Sequence, residues 1–273
     1  MLRLYDAGTH EVETIRPGHP RELRVLAVTP ALADPGDPDL TELRSWVLPD
    51  QLRRTAERRS VVPTVCEVMA PGETGAEPLA ASVRAALNFY PPARIAPAGE
   101  PVERTVEFAG GGTPAFDVGT GDTGWLTGLD VVRYHAAPTG IAGQSPRHPG
   151  PDRLSEVIDR GIDPLTVRLV FMHNRYRNGV DATWGMLNSW DGILTGWRRS
   201  VAQWANSPSA AMPARYADAI IAAFEDDLMA PAALRELQVL EEDDEVAPGA
   251  KFETFAAADR LLGLDLARDI GRY

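Results

Sequence analysis

Five histidines, one cysteine, one lysine and 39 carboxylates are the side chains with which this 273-residue chain could do chemistry. Their spacing narrows the choices. His10, His19, His135, His148 and His173 stand apart, and none pairs with another His, a Cys or an acid in a metal-ligand pattern such as H-E-x-x-H. His135 and His148 flank the Gly140–Gly143 loop and are the two imidazoles expected near a cleft. Cys66 is the sole cysteine, so no intrachain disulfide and no cysteine zinc cluster is expected. It ends an apolar run from Val61 and reads as a small buried hydrophobe. No Gly-x-Ser-x-Gly elbow supports a serine hydrolase. Gly119-Thr120-Gly121-Asp122-Thr123-Gly124 spells the dinucleotide glycine pattern after a candidate strand, Ala115–Val118. The chemistry also needs a helix N-terminus to meet the pyrophosphate, and Trp125-Leu126-Thr127-Gly128 is a short, glycine-bound successor. A tight loop competes with that reading.

Of the 27 basic residues only Lys251 is lysine. Codon bias accounts for the arginine excess, yet the excess has chemical consequences. A phosphate-binding loop, a Schiff base or a lysine general base would each need a lysine in a core motif. Arginine stays protonated and cannot replace a deprotonated amine. Lys251 is expected in a charged loop near the C-terminus. The net charge is −12 and the pI about 4.9, a poor basis for binding nucleic acid, whose affinity comes largely from neutralising phosphates. Arg53, Arg54, Arg58 and Arg59 form a small basic cluster that reads as a solvated helix face. No leader pattern follows the first methionine and no run reaches 18 apolar residues, so a cytoplasmic protein is expected, with no membrane association.

The elements that must position these groups follow from periodicity. Leu2–Tyr5 and Glu11–Ile15 read as a hairpin. Leu23–Thr29, a helix over Leu40–Arg59 and a strand over Val61–Met69 make a βαβ unit, which predicts a parallel sheet. Thr41 can cap that helix and Pro49 should kink it. Further strands are predicted over Thr105–Phe108 and Ala115–Val118. From residue 152 the texture is helical. Helices are predicted over Arg153–Arg160, Leu165–His173, Thr183 to about Asn206, Pro213–Leu228, Ala232–Leu240 and Phe252–Leu264. Leu187, Trp190, Leu194, Trp197, Val201 and Trp204 recur every three or four residues, a seam that reads as bundle core. Two domains are expected, residues 1–151 and 152–273.

These pieces resemble one family. Leu2-Arg3-Leu4-Tyr5-Asp6 through Arg16-Pro17-Gly18 resembles the opening hairpin of cysteinyl-tRNA synthetases. The resemblance is closer to their relative in mycothiol biosynthesis, the ATP-dependent ligase that joins cysteine to glucosaminyl-inositol. Val28-Thr29-Pro30 falls on that ligase's Ile-Thr-Pro, and Phe116-Asp117-Val118 on the stretch before the family's His-Gly-Gly-Gly. Gly161-Ile162-Asp163-Pro164 with Val167-Arg168-Leu169, Tyr176-Arg177, and Asp226-Asp227-Leu228 through Leu234 resemble later signatures. The resemblance implies an α/β fold: a Rossmann-like, class I synthetase-type parallel sheet domain with a shortened insertion, followed by an antiparallel helical bundle.

It also implies missing chemistry. Where the family has its His-x-Gly-His nucleotide turn, this chain has Asp34-Pro35-Gly36-Asp37-Pro38. The Lys-Met-Ser-Lys-Ser signature falls within Gln144–Gly150, which holds no lysine. The first zinc-binding cysteine position holds Leu26, and the His of His-Gly-Gly-Gly becomes Gly119. Losing one such charge-stabilising group costs about 10²–10³ in rate. The expectation is a catalytically degenerate relative with no catalytic residues, no metal and no cofactor, acting as a binding, scaffold or regulatory partner in an amino-acid or natural-product pathway. A protein partner or homo-oligomer is the expected company, the small-molecule ligand is unknown, and tRNA is disfavoured by charge. The alternative is an ATP-dependent cysteine ligase, forming an amide or ester with an amino acid, or another enzyme with a rebuilt site. Its cleft candidates are Thr29, Asp34, Asp37, Asp117, Trp125, His135 and His148.

Overall fold

A computed structural model describes residues 1–6, 9–15, 22–29, 32, 34–69, 79–92, 94–96, 105–109, 132–135, 144–145, 148–180 and 182–272. The chain opens with an antiparallel hairpin, β1 (Arg3–Asp6) and β2 (Glu11–Thr14), in which Leu4 opposes Glu13. Next come β3 (Glu22–Thr29), α1 (Leu40–Arg58), β4 (Val62–Met69), α2 (Ala81–Ala86), β5 (Arg94–Ala96), β6 (Thr105–Ala109) and β7 (Val132–His135). Strands β3 to β7 run parallel in the order β5-β4-β3-β6-β7. A small antiparallel pair, β8 (Gln144–Ser145) and β9 (His148–Pro149), precedes six helices. These are α3 (Leu154–Asp159), α4 (Pro164–His173), α5 (Trp184–Trp204), α6 (Ala214–Glu225), α7 (Ala230–Glu242) and α8 (Pro248–Leu262).

The Rossmann-like expectation is corrected. Helix predominates among the described residues, and the antiparallel β1–β2 hairpin joins the helical core through Leu2 and Leu4. The parallel ladder has α1 against it, with Leu23, Val25 and Ala27 of β3 buried in the common core. A doubly wound sheet needs helices on both faces. Among the described residues no second helical layer covers the ladder and no crossover helix joins β6 to β7, so neither the three-layer sandwich nor a dinucleotide crevice is built from them. The glycine run 119–124 lies outside the described residues.

Helix α1 is the hinge of the architecture. Asp39 caps it: its carboxylate accepts from Thr41 N at 2.6 Å, and Glu42 reaches back to Asp39 N, a capping box, so the cap is Asp39 and not Thr41. The helix runs unbroken past Pro49. It is buried nearly all round because β3 and β4 lie on one side and α4 and α8 on another. One hydrophobic cluster therefore joins the hairpin (Leu2, Leu4, Ile15), α1 and helices α3 to α8. Trp197 is fully buried, its ring edge-on to Phe255 at 5.7 Å, and its indole donates to Glu241 Oε2 at 2.8 Å. Trp204 also packs on Phe255, so the tryptophan seam faces the core.

Two arginines are core residues. Arg54, expected on a solvated face, is buried beside Asp50 at 2.7 Å. Arg168 is fully buried and reaches the same carboxylate oxygen at 2.5 Å. Lys251, expected in a loop, lies in α8 and is also buried. Among the described residues no helix is long and apolar enough to cross a membrane.

Candidate functional site

Six of the residues quoted for the family resemblance, Arg3, Tyr5, Tyr176, Arg177, Asp226 and Asp227, come together where the hairpin meets the bundle. Asp227 lies at the corner between α6 and α7, where Asp227 and Leu228 both adopt left-handed backbone (φ 59° and 45°). That sharp corner aims the Asp227 carboxylate back at the hairpin. Oδ1 accepts from Tyr5 N at 2.9 Å and from the Tyr176 hydroxyl at 2.5 Å; Oδ2 accepts from Arg177 Nη2 at 2.8 Å. The Arg177 guanidinium lies over the Tyr5 ring at 4.1 Å. Burial first, and then hydrogen bonding to the Asp227 anion, raises the Tyr176 hydroxyl well above its ordinary pKa, so it stays a donor. Arg3 pairs with Asp226 at 3.0 Å, and Met1 and Arg59 both reach Glu225. These contacts join the hairpin to α1, to the turn after α4 and to the α6–α7 corner.

Behind this joint is a cavity of about 20 Å³ lined by α1, the end of α4 and the α6–α7 corner. Arg44 and Gln51 enter it from α1, two turns apart and so on one helix face. Phe171, Met172 and Leu228 supply apolar walls. Arg44 is 5% exposed and its Nη2 donates to the carbonyls of Arg175 (3.1 Å), Tyr176 (3.2 Å) and Asn178 (2.6 Å), which fixes the turn after α4. Nη1 of Arg44 and Nε2 of Gln51 are buried without a hydrogen-bond partner. Burial alone lowers the Arg44 guanidinium to about 10. Nothing in the sequence pattern signals this pair, since a polar residue within an amphipathic repeat reads as a solvated face.

The seven cleft candidates are placed as follows. Asp34 is exposed and its Oδ1 accepts from the amides of Gly36 and Asp37, both at 3.2 Å, which closes its own turn. Asp37 accepts from Ser155 N at 2.9 Å and from Ser155 Oγ at 2.8 Å, and Arg153 Nη1 donates to the Asp37 carbonyl at 2.6 Å. Arg153 also lies 3.9 Å from the Asp34 carboxylate and 3.8 Å from that of Asp37. Asp34 and Asp37 are thus brought together, as a clip between their loop and the start of α3. Thr29 and His135 end β3 and β7 at one edge of the ladder, with β6 between them. His148 is in β9, opposite Ser145. Asp117 and Trp125 lie outside the described residues. Among the described residues no three His, Cys, Asp or Glu side chains are grouped to hold a metal.

No family model matches the chain. It is similar to a cysteine–tRNA ligase of Treponema denticola, 26% identical over 140 residues. The similarity covers 42% of this chain and 28% of that protein, so the chain spans under a third of the relative's length. At this identity and coverage the match supports a distant relation to cysteine–tRNA ligases and nothing closer.

Proposed function

We propose that the chain is a non-catalytic relative of cysteine–tRNA ligases that acts by binding, as a scaffold or regulatory partner in an amino-acid or natural-product pathway. The observation that carries this reading is the fate of its one lysine. Lys251 is buried in α8, where Nζ donates to the Glu241 carbonyl at 2.7 Å and lies 5.5 Å from the centre of the Trp204 ring. Charge stabilisation on transferring phosphates, which the resemblance assigns to the lysines of the second signature, has no lysine left to perform it.

Two further features support the reading. Residues matching the family's later signatures, Arg168, Tyr176, Arg177 and Asp227, hold elements together through buried ion pairs and hydrogen bonds. The carboxylates in place of the nucleotide turn, Asp34 and Asp37, are engaged with backbone amides, Ser155 and Arg153. A rebuilt catalytic site there would first have to dismantle the clip to α3. The test is amino-acid activation: purified protein with cysteine and ATP is expected to give no exchange of label between pyrophosphate and ATP, and cysteine-dependent exchange would overturn the proposal.

A further inference from the structure

Arg44 is buried, and no carboxylate among the described residues pairs with it. Three other buried arginines meet carboxylates: Arg54 and Arg168 share Asp50 at 2.7 and 2.5 Å, and Arg198 meets Asp163 at 2.7 Å. Arg44 has only the three carbonyls held by its Nη2, and among the described residues no acid faces it. Its Nη1 is without a partner, and so is Nε2 of Gln51, which lines the same cavity. A buried charge is strongly unfavourable unless an opposite charge and full hydrogen bonding offset it. Water could accept from both donors but would leave the charge unbalanced. The space, about 20 Å³, is above the roughly 10–15 Å³ that one water needs and far below what a phosphate or nucleotide needs.

We propose that the cavity beside Arg44 and Gln51 binds a small monovalent anion, chloride or a carboxylate no larger than formate. The anion accepts from Arg44 Nη1 and Gln51 Nε2, while Val47, Leu48, Phe171 and Leu228 exclude bulk water from the pair. It thereby completes the packing of α1 against the turn after α4 and the α6–α7 corner. The ligand class follows from two free donors, one uncompensated positive charge and the size of the space. It does not depend on whether the chain has catalytic activity.

Thermal unfolding of the full chain in sodium gluconate, replaced stepwise by chloride or formate at constant ionic strength, reads this site. The unsubstituted protein is expected to gain roughly 2–4 °C, with saturation, once the small anion reaches several times its dissociation constant. Arg44→Met and, separately, Gln51→Met are expected to lose that gain. Equal melting temperatures in all three salts, a rise that never saturates, or a gain retained in Gln51→Met would each overturn the proposal. Gln51→Met decides the matter if Arg44→Met does not fold.

Discussion

At the scale of single residues, the fold is held by carboxylates that each serve several donors. Asp227 is the clearest case, with Tyr5, Tyr176 and Arg177 converging on it. Tyr176→Phe removes one buried charge-assisted hydrogen bond and is expected to lower unfolding free energy by about 1.5–3 kcal/mol in urea titration. Asp50 is the buried counterpart. Burial opposes its ionisation, but Arg168, Arg54 and the Tyr90 amide outweigh that and hold its pKa below the ordinary 3.8. A carboxylate lowered in the folded state contributes stability that is complete above its unfolded value and is lost as pH falls through the folded one. Asp163, lowered in the same direction, adds to this loss, while Asp259, raised by burial, opposes it. The urea midpoint is therefore expected to fall as pH drops below about 4, and less steeply in Asp50→Asn. An unchanged slope in that variant would remove Asp50 from the account. Asp50→Asn should also cost about 3–5 kcal/mol near neutral pH, because Arg54 and Arg168 remain buried without their anion.

At the scale of elements, α1 decides how the molecule is put together. Its capping box makes Asp39→Ala an expected loss of about 1 kcal/mol, visible as a lower urea midpoint with an unchanged denaturant slope. The end of α8 is equally constrained. Gly263 is left-handed at φ 67°, and a Cβ there would sit 2.8 Å from Arg54 Cζ. Gly263→Ala is expected to destabilise by roughly 1–3 kcal/mol, through backbone strain and by disturbing the Asp50 network. Most elements were legible: β3, α4 and α5 fall within two residues of their sequence-based bounds, because strand alternation, Pro164 at a helix start and a three-four apolar spacing are local signals. What surrounds α1 was not legible. Arg44, Asp50 and Arg54 look like a solvated helix face because periodicity registers residue type, while their partners include Asn88 and Tyr90 after α2 and, more than a hundred residues away, α4, α8 and the turn at 175–178. The cap was misassigned for a smaller reason, since Thr41 and Asp39 are both good cap residues and only the backbone distinguishes them.

At the scale of the whole molecule, the distant relation to cysteine–tRNA ligases coexists with a largely helical fold in which the hairpin, α1 and the later helices share one core. The Rossmann-like expectation failed because a βαβ pattern fixes how neighbouring strands pair but not how many layers cover them. The site was the least legible part. Asp34 and Asp37 were singled out as possible ligands by type and position, yet their oxygens close a turn and cap a neighbouring helix. The central proposal is that this distant relative of cysteine–tRNA ligases does not activate an amino acid. Cysteine-dependent exchange of pyrophosphate into ATP, measured on the unsubstituted chain beside Lys251→Met, tests it most directly. The account predicts exchange at background in both, with Lys251→Met showing only a lower melting temperature from the lost Glu241 contact; exchange in the unsubstituted chain that disappears in Lys251→Met would contradict it.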